Sequence, residues 1–530
     1  MAHALTIALA QITLPVGDIA GNERRILHAR TQAKDASLVA FPEMSLAGYP
    51  PQDLILRPDF LDQCHASMLR LAEATKDGGP ALLIGAPWRT DGHAYNAALL
   101  LEAGKIEIAA LKRDLPNYGV FDEKRVFVPG KLPTSFSFRG HTLGVVICED
   151  IWTLPAVQSI KAADIIIVPN ASPFEHGKLE RREKVCASAA RAVNAPVLYL
   201  NAVGAQDELV FDGASFATDA HGNVVRRMKE FEEEIAMVSL PLSSGETRTL
   251  SDLERTYCAM KLGLKSYISQ NGFTHILLGL SGGIDSALSA AVAVDALGKA
   301  HVTGVRLPSK YTSTDSMEDA EETARLLGIK LETVSIEPLV ESCRASLAKT
   351  AGDPLPELAA ENLQSRARGL TLMAISNATG AMLLSTGNKS EMAVGYATLY
   401  GDMCGGYNVL KDVYKTEVYA LANWRNEQGR AIPERSITKA PTAELRPNQT
   451  DQDSLPPYDV LDAILRGLIE EDESAESLIA RGFERAVVEK VVGLLYVSEF
   501  KRRQSAPGAK VSTRTLGIDR RYPISSKYRR

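Results

Sequence analysis

The run Ser281-Gly282-Gly283-Ile284-Asp285-Ser286 follows the apolar stretch Ile276-Leu277-Leu278-Gly279-Leu280 and precedes a small-residue helical stretch over 287–297. Strand, glycine turn and helix in that order aim backbone N–H groups at a bound phosphate. The two glycines allow close backbone approach and left-handed torsions. Ser281 and Ser286 can donate to phosphate oxygens, and Asp285 can hold a divalent cation through oxygen. No Gly-Lys-Ser/Thr follows, which excludes the Walker-type loop. A second constellation lies in the first half. Glu43 ends Leu38-Val39-Ala40-Phe41-Pro42-Glu43, Lys112 ends Ile108-Ala109-Ala110-Leu111-Lys112, and Cys148 ends Val145-Val146-Ile147-Cys148. Amide hydrolysis through a thioester uses such a trio. A carboxylate takes the thiol proton, the thiolate attacks the amide carbon, and a cation stabilises the oxyanion. The same carboxylic acid can then return a proton to the departing ammonia. Taken singly, each residue has an ordinary reading, Cys148 above all as an inert buried thiol.

Both constellations need strands to end at the right places. In the first half, short apolar runs predict strands over 6–12, 37–42, 81–86, 142–148, 165–169, 196–201 and 234–240. Continuous apolar runs of this length are the pattern of strands covered on both faces. Helices are predicted over 22–34 and 177–193, and hairpins at Ala103-Gly104-Lys105 and Ala220-His221-Gly222-Asn223. The breaker-rich stretch Pro241-Leu242-Ser243-Ser244-Gly245-Glu246 marks the boundary, giving domains 1–245 and 263–530 with a linker helix region over 246–262. The predicted amphipathic helix there runs over 252–269. The second half alternates cleanly: strands over 275–280, 302–307, 330–336 and 381–386, helices over 316–327 and 358–379. This predicts an α/β domain with a doubly wound parallel sheet and a ligand at the carboxyl ends of its strands. The proline-rich stretch 439–458 reads as a mobile loop beside that site.

Bulk properties bound the reading. A chain of 530 residues exceeds one ordinary core, and 45% hydrophobic with 23% charged residues is the composition of a soluble enzyme. No apolar run is long enough to cross a bilayer, so no membrane partner is expected. Six scattered cysteines without a C-x-x-C pair argue for a reducing cytoplasm and against a zinc site. The net charge of −6 gives no reason to expect nucleic acid. Charge is uneven, however: residues 501–530 hold ten Lys and Arg against Asp519 alone. Such a tail can bind RNA, fold back on an anionic substrate, or be a solvated terminus.

With their flanks, the first-half segments resemble the nitrilase superfamily. The matches are Phe41-Pro42-Glu43, the run Leu111 to Tyr118, Phe121 to Arg125, and Ile147-Cys148-Glu149-Asp150-Ile151-Trp152. The resemblance implies a four-layer α-β-β-α sandwich, with Glu43 as base, Lys112 as oxyanion partner, Cys148 as nucleophile and Glu123 positioning the lysine. By the same resemblance Tyr118, Glu149, Ser172 and Lys178 fall where the superfamily's glutaminases hold the glutamine substrate. His176, a lone histidine in a loop, reads as structural or surface. The second-half turn is similar to the pyrophosphate-gripping loop of the N-type ATP pyrophosphatases, a Rossmann-like fold. Together with Gly387-Asn388-Lys389-Ser390-Glu391, Tyr400-Gly401-Asp402 and the run Lys439 to Leu445, it resembles the NAD+ synthetase family in its long, glutamine-using form. That resemblance implies an ATP site of Ser281, Gly282, Gly283, Ile284, Asp285, Ser286, Arg306, Thr386, Lys415 and Thr442. It implies magnesium on Asp285 and Glu391, and contacts to the deamidated dinucleotide from Asn362, Arg366, Glu391, Asp402 and Lys510. The implied reaction is ATP-dependent amidation of nicotinic acid adenine dinucleotide, with ammonia from glutamine carried along an enclosed route, in a cytoplasmic homo-oligomer, a dimer or an octamer.

Three other readings stay open on the sequence. One is a glutamine-dependent adenylating amidotransferase for a different acid. Another is a nitrilase-type amidase whose nucleotide domain only regulates. The last is a non-catalytic nucleotide sensor or RNA scaffold using the basic tail, whose RNA affinity would fall steeply with salt.

Overall fold

The computed structural model describes residues 5–242, 244–245 and 249–528, and the chain divides into two compact units, Met1–Ser251 and Asp252–Arg530. Ser243 and Glu246, within the expected boundary stretch, lie outside the described residues.

The first unit carries strands β1 (Thr6–Gln11), β2 (Leu38–Ala40), β3 (Ala81–Thr90), β4 (His93–Glu102), β5 (Lys105–Leu111), β6 (Phe136–Phe138), β7 (His141–Val145), β8 (Ile165–Asn170), β9 (Val197–Asn201), β10 (Val203–Gln206), β11 (Leu209–Asp212), β12 (Phe216–Thr218), β13 (Val224–Arg227) and β14 (Glu234–Ser239). Its helices are α1 (Ile19–Gln32), α2 (Pro58–Ala74), α3 (Leu154–Ser159) and α4 (Lys178–Val193). Two six-stranded sheets run in the orders β14-β1-β2-β3-β4-β5 and β13-β12-β9-β8-β7-β6. The two-residue period of a strand sends alternate side chains of one apolar run into different layers. Ile7, Leu9, Leu38, Leu83, Val145, Ile167 and Leu198 meet in the core between the sheets. Ala8, Val39, Leu82 and Ile84 face the other way, packing with Ile26, Cys64 and Met68 of α1 and α2. Ile166, Val168 and Tyr199 do the same with Leu179, Cys186 and Ala190 of α4. That is the α-β-β-α sandwich. Both hairpins form: Glu102 pairs with Lys105, and Thr218 with Val224.

One expected strand stops short. The 142–148 run leaves the ladder at Val145, and Cys148 opens a tight turn, Cys148–Trp152, with φ of +46°. The buried Asp150 carboxylate is the cause. It accepts from the backbone N–H of Ile147 (3.3 Å), Arg113 (3.1 Å) and Asp114 (2.8 Å), a local bonding scheme that replaces sheet pairing.

The second unit opens with α5 (Asp252–Gln270), one continuous helix across the expected 262/263 junction. It continues with β15 (Ile276–Gly279), α6 (Ile284–Leu297), β16 (Val302–Arg306), α7 (Thr314–Leu327), β17 (Lys330–Thr333), α8 (Glu337–Ala351), α9 (Glu357–Thr379), β18 (Met382–Ser385), α10 (Lys389–Val394), β19 (Tyr407–Asn408), α11 (Lys415–Glu427), α12 (Glu434–Thr438), α13 (Tyr458–Ile469), α14 (Ala475–Ala480), α15 (Arg485–Val497) and α16 (Glu499–Arg502). The sheet is parallel throughout, in the order β17-β16-β15-β18-β19. Strand order reverses between β15 and β18, so a crevice opens there at the carboxyl ends, where ligands of such sheets bind. The basic tail is only partly solvated: Arg503, Arg521 and Lys527 are exposed, while three other basic residues are buried in ion pairs. Arg502 (2.8 Å) and Arg520 (3.1 Å) pair with buried Glu499, and Lys510 pairs with Asp519 at 3.1 Å.

Candidate active sites

In the first unit, Lys112 leaves the end of β5 with its Nζ donating to Glu43 Oε1 and to Glu123 Oε1, each at 2.7 Å. Lys112 is fully buried, and Glu43 and Glu123 are 2% and 5% exposed. Glu43 also accepts from Asn96 Nδ2 at 2.7 Å and from the backbone N–H of Ala171 at 3.0 Å. Tyr49 OH donates to Glu123 Oε1 at 2.8 Å. Two buried carboxylates keep the lysine charged, although burial works against it. Burial raises Glu123, assisted by the negative charge of Glu43 and opposed by Lys112. The backbone of Glu43 is pressed on β3, where a side chain at Gly85 would come within 2.4 Å of Met44 N. Cys148 is 6% exposed, and burial followed by the charge of Glu43 pushes its thiol well above the ordinary value, with Lys112 opposing. The resting thiol is therefore protonated, and reaction requires a base at hand.

Tyr118 OH donates to Glu149 Oε1 at 2.9 Å, beside the cysteine turn. Ser172 sits on a buried frame: Arg182 Nε donates to its Oγ at 3.2 Å, and Arg182 Nη2 to its carbonyl at 2.7 Å. Arg182 in turn forks onto both oxygens of Asp212 at 2.8 Å. Lys178 Nζ lies 5.8 Å over the Trp152 ring and 3.5 Å from Glu175, and burial lowers its pKa. His176 packs edge-on against Phe174. Asn96, Asp150 and Arg182 escape sequence reading, because their partners are distant in the chain. Only Asp150, two residues past the cysteine, carries a local signal. Arg182→Ala leaves Asp212 buried without its cation, and is expected to cost about 3–5 kcal/mol in urea unfolding of the full chain. A loss under about 1 kcal/mol would show that the pair does not hold this frame.

In the second unit, a cavity of about 500 Å³ opens at the switch point of the sheet. The glycine turn forms one wall. Gly282 has φ of +83°, and a side chain there would come within 2.4 Å of Ser316 O. The helix α6 begins at Ile284, so the first-turn N–H groups of a fourteen-residue helix face the cavity mouth. Ser281, Gly282, Gly283, Ile284, Asp285, Ser286, Arg306, Thr386, Lys415 and Thr442 all line it, as do Asn362, Glu391 and Asp402. Arg366 and Lys510 do not. On α9 the lining stripe runs through Asn362, Ser365, Gly369 and Leu372. Arg366 falls past its edge, exposed, and donates to Leu399 O at 3.2 Å. Lys510 is 3% exposed and is turned into the buried pair with Asp519.

Asp285 accepts from Asn388 Nδ2 at 2.9 Å and forms an ion pair with Lys415, whose Nζ is also 3.7 Å from Glu391. Burial, then the charge of Asp285, pushes the Glu391 carboxyl up to about 8. The two carboxylates, in mutual repulsion, would suit a magnesium ion as hard oxygen donors. Among the described residues no cluster of three His, Cys, Asp or Glu would hold a metal unaided. The loop after α12 is fastened to the start of α7: Glu444 Oε1 accepts from Ser313 Oγ and Ser316 Oγ, each at 2.7 Å, and Lys439 Nζ donates to Ser316 Oγ at 2.6 Å.

Two families match the chain: carbon-nitrogen hydrolase over residues 6–248 and NAD synthase over residues 256–505. The chain is 48% identical to the glutamine-dependent NAD(+) synthetase of Xanthomonas campestris pv. campestris (strain 8004), covering 99% of this chain and 98% of that one. It is 46% identical to the protein of the same name from Rhodobacter capsulatus, over the whole of both chains. Among solved structures it is similar to the glutamine-dependent NAD+ synthetase of Acinetobacter baumannii in complex with adenosine diphosphate, with a TM-score of 0.80, 40% identity and 98% of each chain covered. The sandwich, the switch-point cavity and these full-length likenesses agree: the chain belongs to the glutamine-dependent NAD(+) synthetase family.

Proposed function

We propose that this chain converts nicotinic acid adenine dinucleotide to NAD+, consuming glutamine, water and ATP and releasing glutamate, AMP and pyrophosphate. The carrying observation is the pairing, in one polypeptide of that family, of a buried Glu43–Lys112–Glu123 set around Cys148 with a phosphate-binding turn at a sheet switch point. At the first centre Glu43 takes the Sγ proton as sulfur attacks the amide carbon, and Lys112 faces the oxyanion. Glu43 then protonates the leaving ammonia, and later takes a proton from the water that cleaves the thioester. Tyr118, Glu149, Ser172 and Lys178 hold the amino-acid end of glutamine. At the second centre Ser281, Ser286 and the turn's N–H groups hold ATP phosphates, while Arg306, Thr386, Lys415 and Thr442 complete the nucleotide contacts. The substrate carboxylate displaces pyrophosphate to form an acyl-adenylate, and ammonia then displaces AMP. Asp285 and Glu391 would hold magnesium, which supplies charge neutralisation on the triphosphate when bound. Asn362 and Asp402 face the dinucleotide, Arg366 remains a proposed contact outside the cavity lining, and Lys510, buried against Asp519, is withdrawn as one.

The same reading makes the protein a cytoplasmic homo-oligomer. All six cysteines as free thiols, and no helix among the described residues long and apolar enough to cross a membrane, support the cytoplasmic part. The test supplies amide-¹⁵N glutamine, ATP and the deamidated dinucleotide. Label is expected in the NAD+ carboxamide, with AMP and pyrophosphate formed one for one. Release of ADP and phosphate instead would overturn acyl-adenylate formation.

A further inference from the structure

We propose that Arg368 is an anion-binding residue of the switch-point cavity, its guanidinium taking a phosphate group of a nucleotide substrate. The inference rests on the function proposed above and extends it to a residue that neither the motifs nor the glycine turn point to. Arg368 lies on α9 and lines the cavity. Most arginines of this unit that are drawn into the fold have found acids. Arg425 meets Asp295, and Arg502 and Arg520 both meet Glu499. Arg368 has not. Its Nε donates to Leu307 O at 3.2 Å and its Nη2 reaches Ser309 Oγ at 3.5 Å. Among the described residues it forms no ion pair, and burial lowers its pKa while the more distant charges of Glu444 and Asp402 oppose that shift.

Those two acids are committed elsewhere. Glu444 accepts from Ser313 and Ser316 and lies 3.2 Å from Lys439. Asp402 accepts from the backbone N–H of Thr398 at 2.7 Å and from Ser365 Oγ at 3.3 Å. Arg368 is half-buried in the cavity wall, and a guanidinium partly withdrawn from water without a paired counter-charge carries a cost. A ligand that brings the missing charge removes that cost, and the planar fork of an arginine fits two phosphate oxygens at once. Nη1 makes no hydrogen bond among the described residues, so the fork keeps donors for a ligand. Two phosphate sources reach this cavity on the functional reading, ATP and the dinucleotide, and the chemistry at Arg368 is the same for either.

The test measures equilibrium binding of ATP, nicotinic acid adenine dinucleotide and adenosine, each separately, by calorimetry on the full chain. R368Q is expected to weaken one of the two phosphate-bearing ligands by about tenfold or more. Adenosine binding is expected to stay unchanged, and R368K to recover part of the loss. The ligand that weakens identifies the phosphate held. Retained adenosine binding reports that the second unit of R368Q is folded. Wild-type binding of the nucleotides with R368Q unchanged overturns the assignment alone, as does an equal loss for adenosine, which would mean a collapsed cavity wall. A wild-type protein that binds neither nucleotide overturns the functional reading, and this assignment with it.

Discussion

Cys148→Ala is expected to abolish glutamine-driven NAD+ formation, by about a thousandfold or more, and to leave ammonium-driven formation within about threefold of wild type. The split follows from where the sulfur stands. None of the bonds that fix Glu43, Lys112 and Glu123 runs to Sγ. Removing Sγ therefore deletes the nucleophile and leaves its surroundings tied to Asn96, Ala171 and Tyr49. The cysteine turn is held by Asp150 through three backbone N–H groups, again without the thiol. Alanine removes one buried atom and no charge, so the stability loss is about 1 kcal/mol. On the proposed function the activating chemistry falls to other residues, Ser281 to Ser286, Lys415 and Glu391, which line the second unit's cavity. Ammonium supplied in the buffer needs only those. Initial rates with each nitrogen source, on protein shown by circular dichroism to be folded, decide the matter. Equal loss with both sources would contradict independent chemistry at the two centres, and retained glutamine use would remove Cys148 from the mechanism.

The legible part of this protein was the part written in contiguous residues. Apolar runs located β1, β2, β8, β9, β15, β16 and β18, because strands buried on both faces carry no polar alternation to confuse them, whereas the mostly exposed β17 carries no such signal and the two-residue β19 was missed. The turn Ser281 to Ser286 was legible for the same reason, since its strand, glycines and helix are adjacent in sequence. Longer-range effects were not. The run ending at Cys148 looks like strand throughout, yet Asp150 draws the backbone of Arg113, Asp114 and Ile147 onto one carboxylate and ends the strand at Val145. Asn96 holds Glu43 from a strand fifty-three positions away, and Arg182 holds Ser172 through Asp212, pairings that no local pattern encodes. Charge counting resolved the tail only in part. Arg502, Arg520 and Lys510 are spent on Glu499 and Asp519 inside the fold, Arg503, Arg521 and Lys527 are exposed, and Lys501 lines the switch-point cavity.

Asp285→Ala is expected to lower dinucleotide-dependent exchange of labelled pyrophosphate into ATP by about a thousandfold, while glutamine cleavage persists. In the resting protein Asp285 is the hub of its wall: Asn388 donates to one of its oxygens and Lys415 pairs with the other. Alanine frees Lys415 to close the 3.7 Å gap to Glu391, an acid that burial and the charge of Asp285 hold at about 8. With the neighbouring charge gone and the ammonium moved onto it, Glu391 ionises more readily but is neutralised by lysine, and a magnesium ion held there, as proposed, would lose both of its oxygen ligands at once. Loss of one preorganised charge in a partly dry site is worth about 4 kcal/mol in the transition state, which sets the thousandfold figure. Asp285→Asn separates charge from shape, since the amide still meets Asn388 while giving Lys415 no full counter-charge. It is expected to fall nearly as far as alanine. Exchange in Asp285→Asn within tenfold of wild type would show that the carboxylate positions the turn and carries no metal, and glutamine cleavage lost in parallel would show a folding defect in place of a chemical one.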